Sequence, residues 1–96
     1  MSVVISGAIV LTDSGEQRLD VRIDDGVISE MSASITPSHE DVVLNAQGCH
    51  VLPGFVDLHT HLREPGKEDS ETIETGSRAG AKGGYTALVA MPNTTP

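Results

Sequence analysis

The sequence predicts an α/β chain in two parts, a small all-β unit over residues 1–52 and a strand–helix–strand unit over residues 53–96. Three observations carry that expectation. Short apolar runs separated by Gly- and Asp-containing turns fill the first half. A nearly continuous apolar run, Val51 to Leu58, opens the second half, as in a strand buried on both faces of a parallel sheet. A second such run, Tyr85 to Met91, follows after a helix-compatible stretch.

Val3-Val4-Ile5 and Ala8 to Leu11 flank Gly7, and Thr12-Asp13-Ser14-Gly15 is a turn cluster. Leu19, Val21 and Ile23 alternate with Asp20 and Arg22, the period-2 pattern of a strand with one buried face. Asp25-Gly26 between that strand and Val27-Ile28 is a strong hairpin signal. Ser32 to Asp41 is polar, contains Pro37 and reads as a loop, with Val42-Val43-Leu44 a further strand. The expectation is a small antiparallel unit carrying no chemistry of its own.

In the second part, Glu64-Pro65-Gly66-Lys67 breaks the first strand. A helix is expected to start near Asp69 or Ser70, either of which can cap free N–H groups, and to stop at Gly83-Gly84. Its face of Ile73, Gly76, Ser77, Gly80 and Ala81 is small-sided, which lets it approach a sheet closely. One such unit leaves open strand edges, so the sequence reads as the N-terminal piece of a longer polypeptide.

Composition limits the function. With 14 acidic against 6 basic residues and a net charge of −8, the chain lacks the cationic clusters that nucleic acid requires. No apolar run approaches the roughly 20 residues of a membrane helix. The N-terminus has no basic signal-peptide region, and a single cysteine, Cys49, fits a reducing compartment. A cytoplasmic location follows as the expectation. Cys49 could serve as a nucleophile or be a small packed residue.

Chemistry concentrates at the end of the first buried strand, Asp57-Leu58-His59-Thr60-His61-Leu62-Arg63. In extended chain alternate side chains share a face, so Asp57, His59, His61 and Arg63 are expected to point together. Two imidazoles at i and i+2 can reach one zinc-like ion. A bare His-x-His pair is more often a surface or structural feature, but four polar groups at the end of a buried strand are costly to bury without a ligand. Two histidines do not complete a catalytic zinc site, and His39 and His50 are not spaced to join them.

Pro53 to Gly66, with Glu71-Thr72-Ile73-Glu74-Thr75-Gly76 and Ala90-Met91-Pro92-Asn93-Thr94, resembles the signature of the class I dihydroorotases, in the cyclic amidohydrolase group. The resemblance is specific over residues 51–96 and looser over 1–50, which is similar to part of that family's small β-sandwich domain. It implies the start of a (β/α)₈ barrel with zinc, usually a binuclear centre, that interconverts N-carbamoyl-L-aspartate and L-dihydroorotate in pyrimidine synthesis. By the motif, His59 and His61 would be metal ligands, and Arg63 and Asn93 would bind the substrate carboxylate. Arg63 favours a dihydroorotase over an allantoinase or dihydropyrimidinase, whose relatives usually lack an arginine there. A non-catalytic homologue serving as an assembly partner is the third reading.

The family's remaining metal ligands and its catalytic acid would lie beyond residue 96, so the 96 residues alone are expected to be inactive. The partners implied are the small-molecule substrate, with a homodimer or a complex with another pyrimidine enzyme also compatible; neither nucleic acid nor membrane is expected.

Overall fold

The computed structural model describes residues 2–95. They form two compact units that meet in sequence at Pro53–Gly54. The first is one five-stranded sheet. Its strands are β1 (Ser2–Thr12), β2 (Gly15–Asp24), β3 (Val27–Ser32), β4 (Val42–Asn45) and β5 (His50–Val51). The order is β3-β2-β1-β4, with β5 also pairing with β1. Asp25 and Gly26, at φ 49° and 78°, link β2 to β3 through the two-residue turn expected of that dipeptide, because both central positions of a type I′ turn need positive φ.

The expected antiparallel character holds for β1–β2 and β2–β3 but not for the whole sheet. Strands β4 and β5 pair with β1 in parallel, Val3 opposite Val42 and Ile9 opposite His50. The polar 33–41 segment makes this possible by carrying the chain from the β3 edge to the β4 edge. Asp20 anchors that segment.

Between Ile5 and Ala8 the β1–β2 register slips, so that Ser6 and Gly7 together face Asp20, a β-bulge. The Gly7 amide, freed from the ladder, donates to Asp20 Oδ1 at 2.8 Å. The Ile35 amide donates to Oδ2 at 2.9 Å. Asp20 is buried, and Ala8, Val10 and Val21 pack the core nearby with Ile35 also buried. At the loop's far end, Asp41 accepts from Arg22 at 3.0 Å and from the Ser38 amide at 2.8 Å.

The backbone bonds from Gly7 and Ile35 hold the Asp20 carboxyl below its ordinary pKa. A depressed folded-state value means its contribution is complete above the ordinary carboxylate pKa and is lost as pH falls through the lowered one. Asp20→Ala is therefore expected to cost about 1–3 kcal/mol near neutral pH, since it strands two amides. The deficit relative to wild type should shrink at strongly acidic pH. Equal denaturant midpoints at pH 7 would refute the anchoring role.

In the second unit, β6 (Phe55–Thr60) and β7 (Tyr85–Ala90) pair in parallel, joined by α1 (Ile73–Lys82). The apolar run expected as one strand is thus divided. His50–Val51 belongs to the first sheet, and Leu52-Pro53-Gly54 separates it from β6, proline having no N–H to give a ladder. The helix also starts later than expected. Lys67 to Glu71 is spent in turns, with the Ser70 and Glu71 amides both donating to Lys67 O.

Thr72, not Asp69 or Ser70, is the N-cap, in a reciprocal capping box with Thr75. The helix ends at Gly83, as expected. Gly76 is its buried residue, and a Cβ there would lie 2.6 Å from Leu62 Cδ2, so the helix approaches the chain after β6 closely. The expectation of two-sided burial is not met within this chain. Phe55, Val56, Leu58 and Val89 are exposed, Leu58 at 73%. No helix is long and apolar enough to cross a membrane among the described residues.

Candidate metal and substrate site

The polar end of the second unit is built by the C-terminal ends of β6 and β7 and the loops that follow them. His59 is the penultimate residue of β6, and its amide donates to Asp57 Oδ1 at 3.0 Å, so the aspartate braces the strand locally. His61 lies just past the strand. The two imidazoles meet edge to face, with centroids 5.2 Å apart and planes at 76°. Rings this close can supply two of the nitrogens that one small ion takes.

His61 Nδ1 is buried and has no hydrogen-bond partner among the described residues. A buried unpaired nitrogen costs about 1–3 kcal/mol, so it fits a group that the described residues do not supply. The pair fits zinc, a soft enough ion for imidazole, as part of a ligand set. Among the described residues no cluster of three or more His, Cys, Asp or Glu is arranged to complete one. His39 and His50 belong to the first unit, beside Glu40 and Glu16 respectively. Cys49 is exposed.

Of the four residues expected on one face, the structure brings His59 and His61 into ring contact. Strand geometry stops at Thr60, so Arg63 is carried by a turn instead, its carbonyl accepting from the Lys67 amide at 2.9 Å. Asn93 lies in the loop after β7. These two loops touch, the Thr95 amide donating to Pro65 O at 3.1 Å. Gly66 makes the approach possible. Its φ of 117° is open to glycine alone in practice, and a Cβ would sit 2.7 Å from Thr95 N. Gly66→Ala is expected to cost about 1–3 kcal/mol through backbone strain. An unchanged thermal midpoint would show that the loops part freely.

Three residues of this arrangement are not apparent from sequence reasoning. Glu64 Oε1 accepts from the Ile73 amide, Glu68 Oε1 accepts from the Gly66 amide, and Thr95 joins the loops. The Gly66 bond holds the Glu68 carboxyl below its ordinary pKa. Glu64 lies inside the quoted motif, yet as part of a Glu-Pro-Gly run it reads simply as a strand breaker.

A family model described as dihydro-orotase-like matches residues 48–96. The dihydroorotase of Mycobacterium tuberculosis is 53% identical over the whole of this chain, and that of Caldanaerobacter subterraneus 46%. The chain spans 22% of the length of each. Among solved structures it is similar to a D-hydantoinase, with a TM-score of 0.77 at 27% identity, covering all of this chain and 22% of that one. A dihydropyrimidinase from Brevibacillus agri gives a TM-score of 0.78 at 33% identity, over 94% of this chain and 20% of that one. The chain is thus similar in fold to a hydantoinase and a dihydropyrimidinase, and the dihydroorotases are the more similar in sequence.

Proposed function

This chain belongs to the dihydro-orotase-like family, and from that premise we propose that the protein carrying it is a zinc-dependent dihydroorotase of pyrimidine synthesis, acting in the cytoplasm. The reaction opens L-dihydroorotate to N-carbamoyl-L-aspartate. Water adds across a ring amide, the C–N bond breaks, and a carboxylate and a ureido group result. The rest of a (β/α)₈ barrel, which takes roughly 200 residues or more, would cover the exposed faces of β6 and β7 and bring the missing ligands.

The observation that carries the reading is the His59–His61 pair, with a buried nitrogen unpaired among the described residues, two positions ahead of Arg63. His59 and His61 would hold zinc, which when bound lowers the pKa of water and polarises a carbonyl. Arg63 offers a planar fork of donors that matches a carboxylate in two parallel bonds. Asn93, from the adjoining loop, adds an amide donor. Together they would orient the ring by the one group that a plain dihydropyrimidine or hydantoin lacks.

A substrate panel tests this on the full-length protein. L-Dihydroorotate should be turned over far better than hydantoin, dihydrouracil or allantoin. Preference for a substrate without the carboxylate would replace the reading with a hydantoinase-type one. Zinc binding with no turnover of any of them would favour the non-catalytic homologue.

A further inference from the structure

Glu64 follows Arg63 directly, yet its side chain serves the helix. Oε1 accepts the Ile73 amide at 2.8 Å. Ile73 is the first residue of α1, and its N–H has no acceptor within the helix. The Thr72 hydroxyl is already engaged with the Thr75 amide at 3.1 Å, so the cap does not provide one. A carboxylate is also the group that the positive end of the helix dipole favours.

The stretch around Glu64 is fastened at other points too. Lys67 N bonds Arg63 O, Gly66 N bonds Glu68, and Thr95 N bonds Pro65 O. The first two lie within the turn, and the third reaches a loop. The Glu64 bond reaches a regular element, beside the contact that Leu62 makes near Gly76.

We propose that Glu64 is a positioning residue: through the Ile73 amide it holds the Arg63–Lys67 turn against the start of α1, and so fixes where the Arg63 guanidinium meets a substrate carboxylate. The second half of that statement rests on the functional reading above. Glu64 itself touches no reacting atom.

The bond can be cut from either side. Glu64→Ala removes the acceptor, while Glu64→Gln keeps an oxygen that can accept the same amide. Ile73→Pro removes the donor. Proline is favoured at the first helical position, and Thr72 is already extended (φ −100°, ψ 168°), as a residue before proline must be. Ile73 is also half exposed, so little apolar burial is lost.

In the full-length enzyme Glu64→Ala should raise KM for L-dihydroorotate about tenfold, the effect of losing one hydrogen bond to a charged group. Its kcat should move much less. Glu64→Gln should restore most of the loss. Ile73→Pro should reproduce Glu64→Ala, and the double variant should be no worse than either single one, because both remove one interaction.

A purely structural role would lower the thermal midpoint without splitting KM from kcat, and would overturn the proposal. So would Glu64→Gln as impaired as Glu64→Ala beside a normal Ile73→Pro. Hydrogen exchange at the Ile73 amide judges the bond whatever the substrate. Protection is expected in wild type and Glu64→Gln and at least about tenfold faster exchange in Glu64→Ala; equal rates overturn the proposal. If instead Arg63→Ala leaves KM unchanged while the Ile73 amide behaves as expected, the functional reading fails and the Glu64 tie stands.

Discussion

Replacing His61 with alanine in the full-length protein is expected to abolish zinc binding at the site proposed for it and His59 and to reduce turnover by more than about 100-fold, since loss of a group that merely orients a ligand already costs about 10–100-fold. The reason lies in the geometry of the pair. His61 keeps a buried nitrogen that no group among the described residues satisfies, and the His59 ring stands 5.2 Å away. His59→Ala should behave in the same way. His39→Ala and His50→Ala provide the contrast, because both rings belong to the first unit and sit beside surface carboxylates. Those two variants should retain zinc and activity. A His61→Ala protein with full zinc and full activity would remove the pair from the metal site.

The second large effect is expected at Arg63. Arg63→Ala should raise KM for L-dihydroorotate about 100-fold, within the range for removing one partner of a hydrogen-bonded charge pair. Arg63→Lys should recover only part of this, because an ammonium keeps the charge but not the fork. Neither change should affect zinc content. Binding of a ring analogue without the carboxylate should be nearly indifferent to both variants. Equal losses for the two kinds of ligand would make Arg63 a structural residue and would undercut the choice of dihydroorotase over its relatives.

Some of this molecule was readable from single residues and some was not, for physical reasons. Asp25-Gly26 declares its turn because few dipeptides accept two successive positive φ values. The His59–His61 pair was legible because the period of a strand puts alternate side chains on one side. The direction of β4 was not, since alternation reports which face is buried and says nothing of which strand lies alongside or which way it runs. The helix start was misplaced because Asp69, Ser70 and Thr72 are all competent caps. The choice fell to Thr75, whose hydroxyl closes a capping box in place of the usual Glu or Gln.

Arg63 shows the limit most clearly. The period of a strand predicts a place on the strand face, but the strand stops at Thr60 and a hydrogen-bonded turn sets its place. Glu64, Gly66 and Thr95 define that turn and its neighbour through contacts distant in sequence, which no local pattern encodes.

The proposed function requires a metal held in part by His59 and His61. Elemental analysis of the full-length protein, purified without chelator or added metal and assayed for L-dihydroorotate turnover, tests it most directly. At least one zinc per active chain is expected, lost together with activity in the His59→Ala/His61→Ala double variant. Fully active wild-type protein without a bound transition metal, or zinc retained in full by the double variant, would contradict it.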